Sequence, residues 1–463
     1  MKGLKLFVFA VFTSLMVVLN VKALDVANLG ELKTCLETAN NECNLTATIN
    51  VSSDETIDLN GGSITGLDSV DPLFYINNGS LKVNGTGSIT ANKDAFFVEG
   101  NRTPSGAKIK AEVEIGSNVK VVSNTANCIY IRGNGAKADV YGSLESKGSY
   151  AVIQGNGTKT TSIDNGNTVI NIYAGAKVYN KNAHAIYHPQ SGKLTISGGT
   201  IEGTTGIEMR AGELVVTGGT ITGTASTTTV TPNGNGTSVY GAGIALAQHT
   251  TILEAKVNIT GGNIKGATAL YEATPETPND SSIITINVNG GNFEGTNGDA
   301  IHSDNKTNFV TSGTFNKNLD ETLLKSGVVT KEENGVYLTG KENKVIISTP
   351  TNGKVTADKT VAIAGETITL TITPDEGYEI DKVTVEDAQG STIKVTNNKF
   401  TMGKYDTGVV VTFKKVANTN EEIPAIPEVP KTFDNITTYI VLGIFSILAS
   451  LKITTELKRN IAK

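Results

Sequence analysis

The sequence predicts an all-β chain: a solenoid of stacked β-rungs with an N-terminal capping helix, then a small β-rich module and one C-terminal transmembrane helix. Two observations carry the solenoid. Between about Gly61 and Phe315 one short phrase recurs, a small residue followed by an aliphatic or aromatic residue and two more strand formers: Leu73-Phe74-Tyr75-Ile76, Ala95-Phe96-Phe97-Val98, Cys128-Ile129-Tyr130-Ile131, Ala151-Val152-Ile153-Gln154 and Ala185-Ile186-Tyr187-His188, then copies beginning at Gly206, Gly243, Ala269 and Ala300. A second phrase alternates with it in the later copies, as Gly198-Gly199-Thr200-Ile201, Gly218-Gly219-Thr220-Ile221, Gly261-Gly262-Asn263-Ile264 and Gly290-Gly291-Asn292-Phe293. One rung cannot bury its own apolar residues, so equivalent residues must stack in register, which makes the strands parallel. The expected interior ladder is Ile129, Val152, Ile186, Ile207, Ile244, Leu270 and Ile301.

The chain opens with Lys2 and Lys5 ahead of an apolar run from Leu6 to Val21, and Val21-Lys22-Ala23 places small residues where signal peptidase cuts. Residues 1–23 are therefore read as a signal peptide. Export implies an oxidising environment, in which Cys35 and Cys43 form the candidate disulfide; Cys128, at the small-residue position of a rung, reads as a buried thiol. From Asp25 to Ala39, Leu29, Leu32 and Leu36 have helical spacing and Asn28 is a candidate N-cap. A helix there would cover the open first rung, whose strand edges are otherwise unpaired. The solenoid domain runs over residues 24–340. Successive phrases are alternately close and far apart, the close spacing matching the roughly 20–25 residues of one coil. The long spacings hold insertions at Asn101–Gly106, Gly155–Gly166, Ala225–Thr237 and Ala273–Ser282, three leaving one corner and the Ala225 insertion another.

These phrases resemble the right-handed parallel β-helix of the pectin-lyase-like superfamily, and especially the adhesin-like repeats of bacterial cell surfaces. Residues 341–416 change texture. Pro374-Asp375-Glu376-Gly377-Tyr378 and the alternating Thr367–Thr373 resemble the divergent internalin-type B-repeat, a module that serves as stalk or spacer. Residues 417–435 carry Pro424, Pro427 and Pro430 among acidic residues and read as an extended linker. They end in Val429-Pro430-Lys431-Thr432-Phe433, which resembles a degenerate Gram-positive sorting motif: Pro430 and Thr432 match, while Val429 stands for Leu and Phe433 for the Gly beyond the bond a sortase cuts. Residues 436–455 span a membrane if Lys452 snorkels, and 456–463 form a basic cytoplasmic tail. The resemblances imply an extracellular protein held at the membrane or wall, with a sortase as one partner.

Lys and Arg total 39 against 45 Asp and Glu, a net charge of -6 with no basic footprint, which argues against nucleic acid. No cofactor is expected. His184 and His188 share a strand face at a separation of four, ~13 Å apart and too far to share an ion, so no metal site is expected. Pectin-lyase-like enzymes use clustered carboxylates; the best candidates for a catalytic group are Asp299, His302, Asp304 and Glu272, where the paired carboxylates of a polygalacturonase are missing. The residues after the buried aliphatic form an outward column: Phe97, Tyr130, Ile153, Tyr187, Glu208, Ala245, Tyr271 and His302. Of these, Phe97, Tyr130, Tyr187 and Tyr271 are the candidate ligand-binding residues, because an exposed aromatic face stacks on the C–H groups of a sugar ring. Three readings follow: a non-catalytic adhesin-like protein binding glycan or another surface, a polysaccharide lyase or glycoside hydrolase, and a purely structural surface coat.

Overall fold

In the computed structural model, residues 23–38, 41–233, 236–247, 252–273 and 283–417 are described. The sorting motif (Val429, Pro430, Lys431, Thr432), the rest of the linker beyond Ala417, the transmembrane segment and the tail lie outside the described residues, as do the signal peptide except Ala23 and the insertion Ala273–Ser282 beyond Ala273. Among the described residues no helix is long and apolar enough to cross a membrane.

The chain is all-β with long parallel sheets, consistent with a β-helix solenoid. Each coil contributes three strands, and each strand stacks on its equivalent in the next coil. Column one holds the aliphatic phrase, from Ile49–Val51 through Phe96–Glu99, Ile129–Arg132 and Ile186–His188 to Ile301–Ser303, ten strands in one sheet. Column two runs from Asp54–Asp58 through Ala111–Ile115, Ala136–Val140 and Thr168–Ile172, and column three from Leu24–Val26 through Val119–Ser123 and Thr220–Gly223. The long strand Ile284–Gly295 passes from column two into column three and joins both into one 22-stranded sheet.

Register is the core of the fold. Phe74 stacks on Phe96, Phe96 on Ile129, Ile153 on Ile186, Ile186 on Ile207, Ile207 on Ile244 and Leu270 on Ile301. All of these belong to one continuous apolar cluster running from Val26 to Leu323. The phrase at Ala151 corrects the expected ladder by one residue. Ile153, not Val152, pairs with Ile129, and Gln154 takes the outward place beside Tyr130. Val152 is buried too, at the position Cys128 holds one coil earlier. Three apolar or small residues in a row hide the register in sequence, because alternation alone cannot choose between them.

The Gly-Gly phrase turns the corner between columns two and three. Its second glycines, Gly199, Gly219 and Gly262, have φ of 79°, 85° and 90°, a region that favours glycine. A Cβ on the first would strike the preceding coil's backbone, 2.8 Å from Ser197 O at Gly218 and 2.4 Å from Thr217 O at Gly261. At the corner entering column one, buried amides close the turns: Asn127 Nδ2 donates to Ala151 O at 2.6 Å, and Asn180 Nδ2 to Tyr150 O at 2.7 Å. These side chains satisfy carbonyls that no strand pairs.

The helix Leu29–Leu36 begins where expected, with Asn28 Oδ1 accepting from Glu31 N, and it buries Leu32, Cys35 and Leu36 in the solenoid core. Cys35 and Cys43 form a disulfide, joining the helix to the strand Glu42–Leu45. Cys128 is a buried free thiol. At the other end Val310–Phe315 pairs antiparallel with Val336–Gly340, itself paired with Val329–Glu333. A second core follows, built on Val345, Ile368, Leu370, Val385, Phe400 and Val409, with a four-stranded and a three-stranded sheet. Charged groups tie the two parts together. Lys331 Nζ reaches Glu342 at 2.7 Å and the buried Glu366 at 3.6 Å, Lys359 Nζ reaches Glu333 at 3.8 Å, and Glu333 accepts from Thr367 N at 3.0 Å.

Asp94 and His188 are among the groups that make stability depend on pH. Burial pushes the Asp94 carboxyl from 3.8 up to about 6, against the Asn127 N–H that it accepts at 2.9 Å. A raised folded value favours the protonated form, so this contribution is complete below the unfolded value and is lost as pH rises through about 6. Asp94→Asn keeps the acceptor and removes the buried charge. It should raise the thermal midpoint near pH 7 and give no gain below about pH 4, checked by melts across pH. Inside the last position of its strand, burial lowers His188 from 6.5 to about 4, so its contribution is present above 6.5 and is lost as pH falls to about 4. In the ladder, Ile207→Ala should cost ~2–5 kcal/mol, while the outward Thr222→Ala should stay within ~0.5 kcal/mol; denaturant unfolding of the full chain distinguishes them.

Candidate ligand-binding face

The outward side of column one is where the expected aromatic residues fall, and the structure divides it into three parts. In the first, Tyr75, Phe97 and Tyr130 follow one another on successive coils, with ring centroids 5.3 and 5.1 Å apart, the first pair tilted at 51° and the second edge-on at 88°. Arg132 lies over both Phe97 and Tyr130, its Cζ 4.7 and 5.8 Å from their centroids. Glu99 holds it there. Its Oε1 is 2.6 Å from Arg132 Nη2 and 3.3 Å from Arg102 Nη1, and its Oε2 accepts from the Tyr75 hydroxyl. The charges around Glu99 outweigh its burial and its carboxyl falls below the ordinary range.

Two inserted loops, leaving the same corner two coils apart, wall this part. Arg102 Nε donates to Asn165 Oδ1 at 2.7 Å and Asp164 N to Arg102 O at 2.9 Å, so the loops bridge the coil between them. Asn165 in turn donates to Asn156 Oδ1 at 2.9 Å, and Asn156 Nδ2 to Tyr130 Oη at 3.1 Å. The chain has four arginines, and Arg102, Arg132 and Arg210 all stand on this face or its loops. Arginine's planar guanidinium both stacks on rings and forks to oxygen, which Lys does not do. That scarcity was a readable signal for Arg102 and Arg132, as was Tyr75 in its phrase.

In the second part the aromatic column is closed. The insertion after Gly223 forms a hairpin, Thr229–Asn233 with Gly236–Tyr240, that lies over the outward positions. Val239 packs with Ala242, Ala245 and Tyr271. Beneath it Glu208 and Arg210 are 0% and 1% exposed and paired at 2.6 Å. Val239 N donates to Glu208 Oε2 at 3.2 Å, and Arg210 Nη2 to Ser238 Oγ at 2.7 Å. Burial alone would raise the Glu208 carboxyl, but His184 and Arg210 outweigh it and its value is lowered. Tyr187 sits against Arg210, and burial pushes its hydroxyl up to about 12. His184 and His188 do not share a face as expected. The strand begins at Ile186, so alternation does not reach back to His184, which lies 2.7 Å from Glu208 outside while His188 points inside.

In the third part Tyr271 stacks on His302 at 4.6 Å. His302 Nε2 is 2.9 Å from Asp304 and Nδ1 3.5 Å from Asp299. Glu272 does not join them. It pairs with Ser303 in register, is 0% exposed, and accepts from Ser303 Oγ at 2.8 Å and Asn305 N at 2.9 Å. It closes a turn from the inner side of the coil. Among the described residues no group of three or more His, Cys, Asp or Glu is placed to hold a metal.

Removing one partner of the buried pair is the sharpest probe of the closed part. Glu208→Ala leaves Arg210 buried without its carboxylate and should cost ~3–5 kcal/mol, whereas Glu208→Leu with Arg210→Met should recover most of it; denaturant midpoints of the three proteins measure this.

Comparison with known proteins reaches the small module alone. No match is found among curated proteins or solved structures. Residues 343–417 match the family model of the divergent InlB B-repeat domain.

Proposed function

We propose that this is a non-catalytic, adhesin-like protein of the cell surface that binds glycan or another surface through the outward face of column one. The observation that carries the reading is the row of Tyr75, Phe97 and Tyr130 in mutual ring contact on successive coils, with Arg132 and Arg102 gathered on Glu99 and two loops beside it. Half-buried rings held rigidly by their own coils keep their conformational entropy cost on binding low. Arg102 and Arg132 supply forked donors next to an apolar platform, the pairing that orients a polyhydroxylated ligand. Tyr187 lies beneath the hairpin against Arg210 and takes no part in this platform, whereas Tyr271 forms a second, smaller platform with His302.

The wider reading joins this face to the rest of the sequence. The solenoid is a right-handed, pectin-lyase-like β-helix, capped by the helix Leu29–Leu36. Signal peptide, Pro-rich linker, apolar segment and basic tail export the chain and hold it at the membrane, or at the wall if a sortase accepts Val429-Pro430-Lys431-Thr432. The B-repeat module acts as a spacer. Catalysis of the polysaccharide lyase or hydrolase kind is the second reading, favoured by His302 between Asp299 and Asp304 but opposed by the position of Glu272 on the inner side of the coil. A surface coat without a ligand is the third.

Screening the full chain against host and bacterial glycans and matrix proteins should give binding that is lost by at least tenfold in Phe97→Ala/Tyr130→Ala and kept in His302→Ala. Absence of any ligand would leave the coat. Release of reducing ends or unsaturated products from polyuronates, abolished by His302→Ala, would establish the enzyme instead.

A further inference from the structure

A second aromatic platform lies at a different corner, between columns two and three. Tyr141 follows Val140, and Tyr173 follows Ile172, which pair in register on neighbouring coils. Their rings stack face to face, 4.1 Å apart and within 4° of parallel. Asn171 Nδ2 and Tyr173 Oη both donate to Asp139 Oδ1, at 2.8 and 3.3 Å, fixing the pair from below. Tyr173 therefore covers one face of Tyr141.

The other side of Tyr141 looks toward the preceding coils, where the same corner carries no ring. Val140 pairs with Ile115, so the position above Tyr141 belongs to Gly116. One coil further back stand Asn84 and Gly85. Together with Glu114, Ser117 and Asn118 they enclose, against Tyr141, a surface hollow of ≈ 280 Å³. Gly85 has φ 77°, and a Cβ at Gly116 would lie 2.8 Å from Val83 O, so both corners must stay bare. The turn that forbids side chains is also what opens the space.

Apart from Glu114 and the Tyr141 hydroxyl, the polar side chains of this hollow are neutral amides and one aliphatic hydroxyl. Glu114 is paired with Lys82 at 2.8 Å, which balances its charge. Among the described residues the side chains of Asn84, Ser117 and Asn118 have no hydrogen-bond partner, and Ser117 and Asn118 are exposed. An unoccupied aromatic face with neutral amide and hydroxyl groups at its rim matches a ring that is apolar on one face and hydroxylated at its edge.

We infer that Tyr141, with Asn84, Ser117 and Asn118, forms a binding subsite for one neutral pyranose ring, separate from the face of column one. The ring lies on Tyr141 through its C–H groups, and its hydroxyls take the amides and Ser117. The rigid backing by Tyr173 keeps Tyr141 in place before binding.

The test uses the full chain and the methyl glycosides of glucose, galactose, mannose and N-acetylglucosamine, read for every protein by saturation-transfer NMR and, for those without Trp, also by tyrosine emission, since the chain itself has no Trp. At least one glycoside should bind saturably. Tyr141→Ala should weaken it tenfold or more, Tyr141→Phe should retain it, and Ser117→Trp, at an exposed position that leaves the core untouched, should block it. Phe97→Ala/Tyr130→Ala should leave it unchanged, so failure here and failure of the column-one face are told apart. Absence of saturable binding by all four glycosides, or binding undiminished in Ser117→Trp, would overturn the subsite.

Discussion

Register between coils is the constraint on which everything else rests. A parallel stack buries apolar residues only if Ile186 meets Ile207 and Ile207 meets Ile244, coil after coil. A slip of one residue would turn every inward side chain outward. Because the coils differ in length, the chain keeps this register by expelling surplus residues as loops at corners, and the register shifts within a strand where Ile284–Gly295 meets Val310–Phe315. The position of each loop is thus a consequence of the core, and so is what the loops can do.

The outer surface is built with more freedom than the inner one. Three columns offer three flat faces, yet the chain treats them differently. Columns two and three carry mostly Lys, Glu, Thr and Asn, paired across coils as in Lys82–Glu114 and Lys193–Glu213. Such exposed pairs add little stability and suit a solvated wall. Column one carries rings, arginines and a covering hairpin. The ion pair under that hairpin is fully buried and makes hydrogen bonds to the hairpin backbone and to Ser238. Its role is to fix where the hairpin sits, since a desolvated pair is a poor source of net stability.

The two ends of the parallel stack are built by different chemistry. At the start, an eight-residue helix buries three side chains and is held by a disulfide. At the finish, antiparallel strands replace parallel ones, and the last hairpin passes charged groups to the small module through Lys331, Glu333, Lys359 and Glu366. Glu366 is buried there, and although burial works against ionisation, Lys359, the Ile363 N–H and Lys331 lower its carboxyl below the ordinary value.

Sequence alone determined the repeat, the parallel stacking, the helix with its Asn28 cap and the corners from which the loops after Asn101, Gly155 and Ala225 leave, because each follows from a local pattern: a buried aliphatic, a glycine pair, an insertion. It placed Phe97, Tyr130 and Tyr271 on one outward column for the same reason. It misplaced Val152, where a run of small and apolar residues left alternation undecided, and it joined His184 to His188 across the start of a strand. What only the tertiary structure decided is what meets across coils. Glu99 gathers two arginines from other coils and loops, Glu208 lies under a hairpin that begins some twenty residues later, and Tyr141 and Tyr173 stack although 32 positions separate them. Contacts of that kind depend on coil length and loop path, and no short stretch of sequence encodes either.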